Sequence, residues 1–292
     1  LATGVICASG TLGQIIPPSI VLIILGEVVG EPVGDLFKAA IIPGLILIVA
    51  YLIYIIVISF VNKDKAPSIP TNEENITKVY LQALKAVIPP LGLIVIVLGS
   101  IFSGIATPTE SSSVGAVGAI LLAIFYRRFN FKMLYEAGLE TVKISSMIFA
   151  ILIGATAFAM VLNYTGGNEI IESFILDLPG KKWGFIIFSM LLIFILGFFI
   201  DFVEISLIFV PLMVPIANAL GIDMLWFAVL IAMNLQSSFL TPPFGFSLFY
   251  LRGVADRAVK TVQMYRGVIP FIIIQVSVLA TIVIFPEFYG FN

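Results

Sequence analysis

The chain has 292 residues, 60% of them hydrophobic and only 11% charged, with a mean hydropathy of +1.16. Soluble domains carry roughly 25% charged residues, so this composition belongs to an all-helical, polytopic protein of the lipid bilayer. A formal net charge of −2, with cations gathered in short loops, leaves no nucleic-acid surface; one cysteine and no histidine exclude a disulfide framework, a His/Cys metal site and a His-based triad.

The first apolar stretch, Leu1–Val29, is interrupted at Ile16-Pro17-Pro18-Ser19. It opens inside an apolar helix without an initiator methionine or a signal-like pattern, which reads as a fragment or processed piece. Cys7, within it, reads as a small residue packed in a helix. After an acidic loop with Glu27, Glu31 and Asp35, Ala39–Val61 is long enough to span, since a helix needs ~20 apolar residues. Asn62–Gln82 is a polar linker, and Ala83–Phe102 spans again. Gly104–Glu110 is a turn-like break from which Ser111–Tyr126 returns. Thr107 or Thr109 is placed to cap the helix beside Glu110, whose carboxylate suits the positive helix end.

Arg127–Lys143 is amphipathic and basic, as expected of an interfacial segment, and Ile144–Leu162 spans. Asn163–Lys182 is polar, with Thr165-Gly166-Gly167-Asn168 and Pro179-Gly180 as turn signals. Trp183–Leu220 divides into two apolar arms hinged at Gly197-Phe198-Phe199-Ile200-Asp201, either two full spans or a re-entrant hairpin. Arg252–Arg266 is a basic loop, and Gly267–Phe285 is the last span. The cation-rich loops Asn62–Gln82, Arg127–Lys143 and Arg252–Arg266 go to the cytoplasm by the positive-inside rule, which leaves the C-terminus outside.

Between these lies the stretch that most needs explaining, Asn234–Phe249, NLQSSFLTPPFGFSLF. Pro242 and Pro243 cannot donate backbone hydrogen bonds. Irregular backbone and hydroxyls at this depth survive only when buried in protein or lining a watery cavity. Secondary transporters build ion and substrate sites from such broken helices. A related layout occurs at Gly10–Ile23, with Pro17 and Pro242 offset by 225 residues, while Pro43 and Pro270 are offset by 227. The first copy runs from cytoplasm to outside and the second runs back, so the expectation is an inverted repeat. In that scheme residues 1–62 hold the first repeat's broken helix and following span, and 63–82 a cytoplasmic linker. Residues 83–163 hold scaffold-type spans and an interfacial arm. Residues 164–292 form the second repeat, with hairpin 183–220, broken helix 223–251 and final span 267–286. A first hairpin is then expected before Leu1.

GTLGQIIPPSI, GDLFKAAIIPG, GIATPTESSSVGA, PLMVPIANALGID and NLQSSFLTPPFGFSLFYLRGVA together carry a resemblance running essentially from Leu1 to the end. The chain resembles the large membrane subunit of tripartite ATP-independent periplasmic (TRAP) transporters. That resemblance implies a sodium-driven, elevator-type carrier in the bacterial inner membrane. It also implies a small membrane subunit and a periplasmic substrate-binding protein as partners, a small organic acid as cargo, and no cofactor beyond sodium ions. It places one sodium site at Gly197, Ser238, Thr241 and Phe244, and the other at Gly13, Ile16 and Pro18.

Asp201 stands out without any resemblance, since a carboxylate at mid-membrane costs ~2.5–3.5 kcal/mol on insertion scales. It is a candidate for coupling hairpin closure to the cation and equally an N-cap for the returning arm; Glu204 lies one turn on. Thr11, Ser19, Asn234 and Ser237 are candidate contacts to a substrate carboxylate held between the breaks. Arg252 reads as cytoplasmic flanking rather than an anion clamp. The rival readings are an elevator carrier that needs no binding protein, an intramembrane hydrolase built on Asp201 and Glu204, and a passive channel.

Overall fold

The computed structural model describes residues 1–63, 66, 76–176, 179–242, 245–255 and 259–291, and the described residues are helical throughout, without strands. Helices long and apolar enough to cross a membrane are Val33–Val61, Lys78–Phe102, Pro108–Phe125, Phe131–Tyr164, Phe202–Ala219 and Thr261–Ile284. The chain forms two compact units, one of Leu1–Phe60 with Ile148–Asn292 and one of Val61–Met147.

The larger unit begins with α1 (Ala2–Thr11), which loosens into a 3-10 turn at Leu12–Gln14; the chain resumes as α2 (Ile20–Val29) under the Ser19 cap. A three-residue turn leads into α3 (Val33–Val61). In the smaller unit α4 (Ile76–Phe102) and α5 (Pro108–Phe125) pack as a pair, and α6 (Phe131–Tyr164) begins in this unit and continues into the larger one. Beyond it come α7 (Gly167–Leu176), α8 (Lys182–Leu196), α9 (Phe202–Ala219), α10 (Met224–Leu240), α11 (Phe246–Val254) and α12 (Thr261–Ile284).

Three sequence expectations change. Arg127–Lys143 and Ile144–Leu162 are not separate elements, because α6 runs unbroken through both. No proline lies between Phe131 and Tyr164, so the backbone ladder has no reason to stop where the polarity changes. Within Asn163–Lys182, read as polar loop, α7 forms after the turn at Gly166, and Ile175 is buried. The third is the linker Asn62–Gln82: residues 76–82 already belong to α4, while residues 64–65 and 67–75 lie outside the described residues.

α10 is the axis of the larger unit. Every residue from Trp226 to Ser238 is buried, the polar Asn234, Gln236, Ser237 and Ser238 included. It packs on α8, α12, α2, α1 and α11. Asp223 starts it by accepting a hydrogen bond from Trp226 N at 2.6 Å, and Trp226 Nε1 donates to Ile282 O of α12 at 3.1 Å. Inside a membrane, packing and interhelical hydrogen bonds hold helices together rather than exclusion of water. α1 packs closely on α12, where Gly4 and Gly267 leave so little room that a Cβ on Gly4 would collide with the Gly267 carbonyl.

In the smaller unit Thr107 and Glu110 close a reciprocal cap on α5. Thr107 N and Oγ1 donate to Glu110 Oε2 at 2.8 and 2.9 Å, and Glu110 N donates to Thr107 Oγ1 at 3.3 Å. Of the two threonines considered for this cap, Thr107 fills it. Ser100 and Ser111 pair across α4 and α5 at 2.8 Å.

Candidate functional site

A proline deprives the carbonyl four residues earlier of its helical donor. Pro17 and Pro18 therefore free the carbonyls of Gly13 and Gln14, and Pro242 and Pro243 free those of Ser238 and Phe239. Buried carbonyls need other partners. Gln14 O accepts from Ser19 Oγ at 2.5 Å, and Phe239 O accepts from Ser247 Oγ at 3.2 Å. Gln14 and Phe239 are 225 residues apart, the same offset as Pro17 and Pro242. At both breaks, then, a serine hydroxyl from beyond the prolines covers the same carbonyl.

The other freed pair, Gly13 and Ser238, differs. Ser238 O accepts from Thr241 N at 3.0 Å, as a tightened last turn. Among the described residues Gly13 O accepts no hydrogen bond, and Gly13 is exposed. Thr241 Oγ1 donates to Ser237 O at 2.7 Å, which uses its proton and leaves its lone pairs for a donor or a cation. Ser238 Oγ donates to Leu235 O at 2.9 Å and Ser237 Oγ to Met233 O at 2.9 Å.

The α8–α9 hairpin brings its tip, Gly197–Asp201, to the end of α10. Gly197 is buried against Ser238 so closely that a Cβ there would overlap the Ser238 side chain. The Phe202 ring meets Phe239 at 6.5 Å between centroids. Gly197, Ser238 and Thr241 are therefore one locality; Phe244 lies outside the described residues. Asp201 acts as an N-cap, its Oδ1 accepting from Phe202 N at 2.7 Å, and it stays half-buried. Glu204 Oε2 and Ser206 Oγ, at the start of α9, are buried without a hydrogen-bond partner. The returning arm widens into a π-turn at Ile205–Phe209 just before Pro211. Such widened turns recur at functional sites.

At the first break Ile16 is half-buried against Gly44 of α3, Pro18 is exposed and Ser19 is buried. The hydroxyls considered as substrate contacts are engaged within the protein. Thr11 Oγ1 donates to Ala8 O at 2.9 Å and accepts from Gln275 Nε2 at 3.2 Å. Ser19 caps α2 by accepting from Leu22 N at 3.3 Å. Asn234 Nδ2 donates to Met190 O of α8 at 2.5 Å. Arg252, distant in sequence from these groups, donates to Val259 O at 2.7 Å.

The two breaks border one cavity of about 420 Å³, lined by Cys7, Thr11 and Gln14 from the first and by Phe239, Ser247 and Tyr250 from the second. Across it Cys7 Sγ lies 3.6 Å from Ser247 O. Sequence reasoning had not singled out Gln14, Phe239, Ser247 or Gln275. Gln14 and Phe239 were legible, because each stands four residues before the second proline of its pair; nothing local marks Gln275.

The description "Tripartite ATP-independent periplasmic transporter, DctM component" belongs to a family model that matches residues 1–288. The C4-dicarboxylate TRAP transporter large permease protein DctM of Pseudomonas aeruginosa is 32% identical over 285 residues, covering 97% of this chain and 65% of that protein. The sialic acid TRAP transporter large permease protein SiaM of Vibrio cholerae is 31% identical over 292 residues, covering 98% and 66%. The sialic acid TRAP transporter permease protein SiaT of Haemophilus influenzae is 31% identical over 291 residues, covering 99% and 46%. The chain thus spans less than two thirds of the length of each of these curated relatives. It belongs to the DctM family, the large permease component of tripartite ATP-independent periplasmic transporters.

Proposed function

We propose that this chain is the transport-domain-bearing part of a sodium-coupled carrier that takes small organic acids across the bacterial inner membrane. The observation that carries the reading is the pairing of two proline-broken helices around one cavity, each with backbone oxygens released from helical bonding. Sodium is a hard cation that takes oxygen ligands, and unwound carbonyls in membrane carriers supply them. On this reading Gly197, Ser238, Thr241 and Phe244 hold one ion, and Gly13, Ile16 and Pro18 contribute to the other. Asp201 orders the hairpin tip beside the second break and couples its closure to ion binding.

Relatives named for sialic acid and C4-dicarboxylates share carboxylate cargo. Among the candidates Thr11, Ser19, Asn234 and Ser237, the cavity lining contains Thr11 alone, so a carboxylate there would also meet Gln14 and Ser247. A small membrane subunit and a periplasmic binding protein complete the system, and the binding protein selects the acid. The loops 62–82 and 252–266 lie in the cytoplasm and the C-terminus outside. Residues 83–163 serve as scaffold while the second repeat, 164–292, moves with residues 1–62 as an elevator.

Uptake into proteoliposomes containing the full-length transporter tests this, with a C4-dicarboxylate and sialic acid as probes. Uptake should require both an inward sodium gradient and the binding protein. Uptake of free acid without the binding protein would favour a self-sufficient carrier, and sodium-independent uptake would overturn the coupling.

A further inference from the structure

Thr11 is the last residue of α1 before the backbone departs from α-helix, so its position sets where the following carbonyls lie. It is held from outside its own repeat. Gln275 of α12, 264 residues away, is fully buried and donates to Thr11 Oγ1 at 3.2 Å, while Thr11 passes its own proton to Ala8 O at 2.9 Å. On the far side stands Tyr51 of α3, 5% exposed, whose ring meets Phe271 edge-on at 5.0 Å, one turn before Gln275. Among the described residues neither the Tyr51 hydroxyl nor Gln275 Oε1 has a hydrogen-bond partner.

The donors all point one way. Gln275 Nε2–H reaches Thr11 Oγ1, and Thr11 O–H reaches the α1 backbone. Two turns earlier on both helices Gly4 and Gly267 are in contact, so α1 and α12 run together up to this level and cannot slide without separating the polar pair. At the corresponding place in the second break, 225 residues on, stands Gln236, whose amide has no partner. The brace is therefore particular to the first break.

We propose that Gln275 is a positioning residue for the first break: it fixes Thr11 and thereby the Gly13 carbonyl that would face a cation. The proposal rests on reading that break as a sodium site. Groups one shell behind a metal ligand commonly change metal affinity 10–100-fold when removed.

The test is thermal unfolding of the full-length polypeptide in detergent, titrated with sodium chloride against choline chloride. Gln275→Leu should raise the sodium concentration giving half the stabilisation about tenfold, with the melting temperature in choline close to wild type. Thr11→Val, which keeps the side chain's shape and removes the hydroxyl that Gln275 holds, should raise it about threefold, and carries the test alone if the glutamine variant fails to fold. A lowered melting temperature in choline with an unchanged sodium midpoint would make Gln275 a packing residue and overturn the brace. A wild-type protein indifferent to sodium overturns the first-break sodium site as well, which distinguishes the two failures.

Discussion

The two breaks begin from the same chemistry and end in different surroundings. Each has a double proline, two released carbonyls and a serine hydroxyl that covers one of them. The first break is open: Gly13 and Pro18 are exposed, and its anchor is the Thr11–Gln275 bond to a distant helix. The second is packed: it follows thirteen consecutive buried residues, and a hairpin tip presses on Ser238. Proline decides that a helix must break, but the neighbours decide whether the freed oxygens face space or protein.

The sharpest way to break this contrast is to add one methyl at each side. Gly197→Ala drives a Cβ into Ser238, and overpacking of this kind costs about 1–3 kcal/mol. An added Cβ on Gly13 meets nothing within 4 Å, so Gly13→Ala should unfold at nearly the wild-type temperature. Equal losses measured by thermal unfolding in detergent would erase the distinction.

Gln236 tests how closed the second break is. Its amide nitrogen and oxygen are both buried without partners, a burden of roughly 1–3 kcal/mol. Gln236→Leu should therefore raise the melting temperature. A fall instead would reveal that the amide is satisfied by a bound water or ion.

A smaller effect is expected where the two breaks agree. Ser19→Ala removes both the cover on Gln14 O and the cap on α2, at about 1 kcal/mol. Ser247→Ala removes only the cover on Phe239 O and should cost less, about 0.5 kcal/mol. Reversal of that order in chemical or thermal unfolding would mean the second serine has a further role.

The smallest expected loss of stability is at Thr241, whose hydroxyl bonds only its own helix. Thr241→Ala should change folding by less than about 0.5 kcal/mol and weaken the sodium response about threefold. An unchanged sodium titration would remove this residue from the proposed ion site.

The sequence by itself determined the local events. A proline lacks its N–H wherever it is placed, so both breaks, the hairpin hinge before Asp201 and the cap at Thr107–Glu110 were legible in the order of residues. Apolar length was enough to mark the spans, because a helix satisfies its own backbone. What tertiary structure decided were the events in which a group finds its partner elsewhere in the chain. Gln275 reads as an unremarkable residue in an apolar span until Thr11 lies beside it, and the closeness of Gly197 to Ser238, implied beforehand only by the family resemblance, is set by the folded chain. Burial of α10 on every side likewise needed its neighbours in place, as did the joining of α6 across a change of polarity. The physical reason is the same in each case: a freed carbonyl or a buried amide is a local consequence of sequence, but its satisfaction depends on atoms that only the folded chain brings within reach.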